Sequence, residues 1–160
     1  MSTDTQPLSI TATTTVGVPI DEAFCFFTED IGAWWNPDHH LIEAPLARMV
    51  FEPFVGGNVY DVGTDGSECR WSRVLVYDRP HRVVFSWDID SHWTIETDHD
   101  RCSEVEVRFT ALDPASTRVE LEHRHLERHG DDLVPQLDGI RAGWQTGGLD
   151  LFAAALTRQG

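Results

Sequence analysis

The sequence predicts an α+β fold: a curved antiparallel sheet wrapped around a long C-terminal helix, with two short helices after the first strand. Three observations carry this. One strand-like segment runs straight into a proline-led helical stretch, from about residue 45 the period changes to that of strands, and the segment from Asp131 to about Arg158 returns to helical spacing. An antiparallel sheet with one apolar face must cover that face, and the last helix is the only element large enough to do so. A curved sheet gripping a helix leaves a cavity between the two.

Each element has its local reason. Residues 9–18, SITATTTVGV, alternate and are rich in β-branched side chains, so they read as a strand. Pro19 suits a first helical turn, Asp21 and Glu22 complement the dipole, and Ile20, Phe24 and Phe27 make a buried stripe. A second short helix is expected at Glu29–Trp35, stopped by Asn36-Pro37. Strands follow in ARMVFEP, GGNVYDVG, SECRWSRVLVYD and RVVFSWDI, the last two joined by a turn at Arg79-Pro80-His81. An acidic loop, DSHWTIETDHDRCSE, precedes two alternating strands, SEVEVRFTALD and STRVELEHRHLE, separated at Asp113-Pro114. In the final helix Asp131 or Asp132 can cap, and Pro135 lies early enough to be tolerated. Leu133, Leu137, Ile140, Trp144, Leu151 and Ala155 define one face, and Gly143, Gly147 and Gly148 imply a bend or a close approach. The division expected is a disordered tail over 1–8 and one domain over 9–158.

The composition narrows the function. The chain has 160 residues, 41% of them apolar, with six Trp and eight Phe to fill a core. Its formal charge is −15, and all 12 basic residues are Arg. Such a field repels phosphate backbones and anionic lipid heads, so neither nucleic acid nor a membrane surface is an expected partner. Cys25, Cys69 and Cys102 are odd in number and include no CxxC pair, which fits a reducing cytoplasm. No apolar run approaches the roughly 20 residues of a membrane span, and no secretory signal pattern opens the chain.

Chemistry concentrates in ELEHRHLERHG, residues 120–130. Alternation puts Val119, Leu121, His123, His125 and Glu127 on one face, in line with inward Val105, Val107, Phe109 and Ala111 of the preceding strand. His123 and His125 then point toward the helix, and His129 falls in the following turn, where it is expected to be solvated. Zinc needs three or four convergent ligands, and the spacing of these histidines with His81, His92 and His99 matches no ligand motif, so no metal is expected. A hydrogen-bonded His pair at the end of a cavity is the expected arrangement. The residues expected to line a ligand cavity are Trp34, Trp35, Trp71, Phe85, Trp87, Phe109, His123, His125, Ile140 and Trp144, with Trp87 and Trp144 preferred as its walls and Trp93 the remaining tryptophan. Each Trp taken singly fits core packing equally well. In the strand 68–77, either Val74 and Val76 face inward with Arg70 and Glu68, or Trp71 and Cys69 do with Arg73; a shift by one residue reverses the choice. The loop carboxylates Asp88, Asp90, Asp98 and Asp100 lack the glycine and glutamate of a calcium loop and read as solvated. No GxSxG or phosphate-cradling glycine loop is present.

The order of elements resembles the helix-grip (START/Bet v 1-like) fold of the START-like (SRPBCC) superfamily. Three stretches carry a closer likeness to its Hsp90-ATPase-activator-like (AHSA1-like) branch: IGAWWNPDHH, the hairpins in GGNVYDVGTDGSECRWSRVLVYDRPHRVVFSW, and ELEHRHLERHG before a helix carrying Gly-Trp, the last as in bacterial members. The likeness spans about residues 9–157. It implies a small hydrophobic or aromatic ligand held between sheet and helix, with no cofactor. Two alternatives come with it: a cyclase, hydrolase or isomerase using His123 or His125 as acid or base, and a chaperone-activating interaction module. A monomer or homodimer in the cytoplasm is expected, with binding rather than catalysis as the leading function.

Overall fold

The computed structural model describes residues 8–35, 43–92 and 94–159, with side chains to residue 157. Most of the polar tail, the Asn36-Pro37 stop, His39, His40 and Trp93 lie outside the described residues. Among the described residues seven strands form one sheet in the order β1-β7-β6-β5-β4-β3-β2, every neighbouring pair antiparallel. They are β1 (Ser9–Val16), β2 (Leu46–Phe51), β3 (Asn58–Gly63), β4 (Glu68–Asp78), β5 (Arg82–Trp87), β6 (Ser103–Asp113) and β7 (Ser116–Arg124). Between β1 and β2 come α1 (Ile20–Thr28) and α2 (Ile31–Trp34). Among the described residues, no helix is long and apolar enough to cross a membrane.

Alternation sorts the two faces as the sequence predicts. Val105, Val107 and Phe109 of β6 and Val119, Leu121 and His123 of β7 are buried inward. On the outer face Arg82, Glu106, Arg124 and Glu104 form a charged ladder across β5, β6 and β7. Glu106 is buried beneath it, and although burial alone would raise its pKa, the guanidinium groups of Arg82 and Arg124 hold it low. The apolar stripe of α1 sets Phe24 and Phe27 edge-on to Phe109, and Phe27 meets Phe152 in the same way.

The choice in β4 has an answer that neither register alone gives. Val59 pairs with Ser72 and Tyr60 with Arg70, so Trp71 is an extra residue; a second irregularity lies between Val74 and Val76. A bulge reverses the facing of the residues beyond it. Trp71 and Val74 therefore both enter the core, although they are three apart.

The C-terminal segment is not one continuous helix. Residues Asp131–Gln136, containing Pro135, form a 3-10 stretch, followed by α3 (Leu137–Trp144), a π-helical turn at Gln145–Leu149 and α4 (Asp150–Gln159). The π turn adds a residue to the helical period. It advances the buried face, so that Leu149, Phe152 and Leu156 enter the core where a regular helix would have presented Leu151. Gly148 permits the turn: a Cβ there would stand 3.3 Å from Trp144 Cε3. At Gly143 a Cβ would meet nothing within 4 Å. Gly143→Ala should thus stabilise the fold by about 1 kcal/mol through helix propensity, read as a higher urea midpoint.

Candidate functional site

A cavity of about 380 Å³ lies between α3 and the sheet. Four tryptophans from four elements line it: Trp35 after α2, Trp71 on β4, Trp87 ending β5 and Trp144 ending α3. They close a ring, with centroid separations of 5.1 Å for Trp35–Trp71, 5.6 Å for Trp71–Trp87, 5.5 Å for Trp87–Trp144 and 5.8 Å for Trp144–Trp35. Ile89, Pro135, Ile140 and the glycine edge of α3 complete the lining. Gln136 ties α3's entry to the acidic loop, donating from Nε2 to the Ser91 carbonyl at 3.0 Å. Small-molecule sites run from roughly 300 to 1,000 Å³. A cavity at the low end of that range suits a compact ring system rather than a long lipid.

Of the residues the sequence points to, Trp35, Trp71, Trp87, Ile140 and Trp144 line the cavity. Trp34, Phe85 and Phe109 do not: they are packed in the core, with Trp34 donating its indole N–H to the Phe27 carbonyl. His123 is fully buried behind the tryptophans, 5.3 Å from Trp87 and 6.0 Å from Trp144 by ring centroids. Both of its nitrogens are engaged. Trp144 Nε1 donates to Nδ1 at 3.0 Å, and Nε2 lies 2.7 Å from Ser103 Oγ. Burial, with a smaller contribution from His129, pushes its pKa down to about 3. It is a neutral structural imidazole with no lone pair turned to the cavity.

The other two histidines exchange the places expected for them. β7 ends at Arg124, and His125 takes a left-handed conformation at φ 63° that turns it off the inner face. Its ring is partly exposed, with Nδ1 3.7 Å from Glu127. That reversal carries Leu126 into a small apolar cluster with Ile10 and Leu133, its N–H donating to the Leu8 carbonyl. His129, expected in solvent, is buried instead against Ser103, whose Oγ lies 2.7 Å from Nε2. Among the described residues no group of His, Cys, Asp and Glu could hold a metal ion. Asp88 is also corrected from a solvated loop residue to a buried one.

Several cavity residues escape the sequence reading, among them Ile89, Gln136 and a carboxylate. Asp61 is 1% exposed, lines the cavity and accepts the Trp71 indole N–H on Oδ1 at 3.1 Å. The readable signal was its position: Val59 and Asp61 lie on the same face of β3, so a carboxylate occupies the inward row of an apolar strand. The carboxylate and the Trp71 indole thus meet in the wall of the cavity.

The comparisons agree with this architecture. The family model described as activator of Hsp90 ATPase homolog 1-like protein matches residues 18–157. Among solved structures, an anthrahydroquino-gamma-pyrone synthase, Txn09, complexed with SUM, is 38% identical, with 92% of this chain and 96% of that chain covered at a TM-score of 0.66. Protein NE0264 from Nitrosomonas europaea is 13% identical over 95% of this chain and 96% of its own, with a TM-score of 0.68. An HSP90 activator from Plasmodium falciparum is 19% identical over 94% and 96%, with a TM-score of 0.65. The last two likenesses show the shared helix-grip fold. No curated protein matches the sequence. The chain belongs to the family of activator of Hsp90 ATPase homolog 1-like proteins.

Proposed function

We propose that the chain binds a planar polycyclic phenol of the anthrahydroquinone class in its tryptophan-walled cavity, and closes an oxygen-containing ring on it with Asp61 as general base. The observation that carries the reading is Asp61 itself, a buried carboxylate that accepts an indole N–H in the wall of a cavity lined by four tryptophans. The 38% identity to a synthase whose product class is an anthrahydroquino-gamma-pyrone supports the choice of substrate. Flat rings stack on tryptophan faces, and a phenolic hydroxyl supplies the donor a carboxylate needs. In a ring closure of this class the phenol oxygen adds to an unsaturated ketone carbon. Asp61 takes the phenol proton, and a proton returns to the neighbouring carbon, so the reaction is an isomerisation.

This places the base on a carboxylate rather than on the imidazoles that the sequence offers, since His123 has both nitrogens occupied and His125 lies outside the cavity. Chaperone activation is the weaker reading, because the Plasmodium likeness at 19% identity bears on fold alone. The test is a titration with 1,4-dihydroxyanthraquinone followed by tryptophan fluorescence, paired with turnover of an anthrahydroquinone bearing an unsaturated ketone side chain. Quenching should saturate at one equivalent. Asp61→Asn should keep binding while lowering turnover roughly a hundredfold or more. Absence of quenching would sink the binding reading, and undiminished turnover in the variant would sink the role of Asp61.

A further inference from the structure

The helix that roofs the cavity has one fully buried side chain. Trp144 is the only buried side chain of α3; Leu137 and Ile140 pack partly buried against the core, Gln136 bonds to the acidic loop, and Gln145, just past the helix end, makes an exposed clasp with Thr13 of β1. Trp144 can only donate through its indole, so the bond to His123 fixes that ring's tautomer: Nδ1 accepts and the proton sits on Nε2. Nε2–H then donates to Ser103 Oγ, and the hydroxyl donates onward to His129 Nε2. The Ser103 backbone N–H points to the same His129 nitrogen at 3.3 Å. The chain thus has one direction, starting at the cavity wall and ending at His129, whose Nδ1–H is buried without a hydrogen-bond partner among the described residues. It links α3, β7, β6 and the turn at Leu126–His129. His123 occupies the inward row of β7, opposite Val105 on one side and Ile10 on the other, where an apolar residue would otherwise complete the core.

We infer that His123 is a positioning residue: by accepting the Trp144 N–H it pins α3 over the cavity and holds the Trp144 face flat against a bound aromatic ring. The part concerning the ligand rests on the function proposed above; the anchoring of α3 does not. By occupying the one polar atom of Trp144, His123 also leaves that wall wholly apolar toward the ligand, so the polar recognition falls to Asp61 and Gln136.

The test uses the full chain and two readouts: amide hydrogen exchange over residues 137–144 without ligand, and the dissociation rate of 1,4-dihydroxyanthraquinone by stopped-flow tryptophan fluorescence. His123→Leu should speed both by about tenfold, the order expected for one lost buried hydrogen bond. His123→Asn, whose side-chain carbonyl stands near the place of Nδ1, should restore both. In a Trp144→Phe background, His123→Leu should add nothing further, because its effect passes through the indole N–H. Unchanged exchange in His123→Leu, or an undiminished effect in the Trp144→Phe background, would overturn the inference. If His123→Leu does not fold, Trp144→Phe alone decides, since slow exchange over 137–144 in that variant would show that the indole bond is not the anchor. A wild-type protein that binds no probe would count against the proposed function while leaving the exchange experiment decisive for α3.

Discussion

Asp88→Ala should cost about 3 to 5 kcal/mol of folding stability, the usual penalty for removing one partner of a buried ion pair. Asp88 follows β5 directly, and its side chain is 2% exposed. Both oxygens accept from Arg73, through Nε and Nη2 at 3.1 Å each, and Arg70 approaches at 3.8 Å. Burial alone would raise its pKa, but bonds from Arg73, Cys102 and Ser86 outweigh that and hold it below the ordinary value. The same arrangement pushes the Cys102 thiol up to about 12, through burial first and then Asp88. Without the carboxylate, Arg73 keeps its charge with its side chain only 21% exposed. The backbone of Asp88 bonds to Trp71 and Glu96, and Ile89 beside it lines the cavity. Asp88→Ala should therefore also weaken ligand binding. Chemical unfolding in urea measures the stability change. A loss under about 1 kcal/mol would mean that Arg73 swings into water and that the pair behaves like a surface bridge.

Such a role for Asp88 was hidden in the sequence because it depends on strand register rather than on type. Asp88 and Asp90 look alike in DIDSHW, yet one is buried on an arginine and the other accepts from exposed residues of its own loop, Thr94 and His92. Periodicity reached the inward rows of β6 and β7, the Phe24 and Phe27 stripe of α1, and the presence of a cavity under the last helix. Failures cluster where the chain departs from a constant period. The bulge at Trp71 in β4 brings Trp71 and Val74 to one side, the left-handed His125 ends the alternation of β7, and the π turn at Gln145–Leu149 rotates the core face of the helix. Each inserts or flips a single residue, and a period-based reading carries the resulting phase error to the next turn. The histidines show the consequence most plainly. His123 lies before the break and is placed correctly inward; His125 and His129 lie after it, and their expected environments are interchanged.

Acidification should destabilise the protein in a window that belongs to the same buried histidine. In the unfolded chain an imidazole titrates near 6.5, whereas in the fold burial holds His123 at about 3. Above pH 6.5 both states are neutral and its full contribution to stability is present. Below that value the unfolded chain takes up a proton that the folded chain cannot, so stability falls as pH falls. The slope approaches 1.36 kcal/mol per pH unit, which gives about 2 kcal/mol lost by pH 5 and roughly 4 kcal/mol by pH 3. His129, also lowered by burial, acts with the same sign. Asp88 and Glu106 are depressed carboxylates, whose stabilisation is present above their unfolded values of 3.8 and 4.5 and is lost only as pH falls through their lower folded values. They contribute little between pH 5 and 6.5, which isolates the histidine slope. Urea unfolding at pH 7.5, 6 and 5 measures it, and His123→Leu should flatten the part due to that residue. A flat profile in the wild type would mean that His123 takes up its proton while folded. An imidazolium donates from both nitrogens and cannot accept the Trp144 N–H, so that result would also remove the bond holding α3 above the cavity.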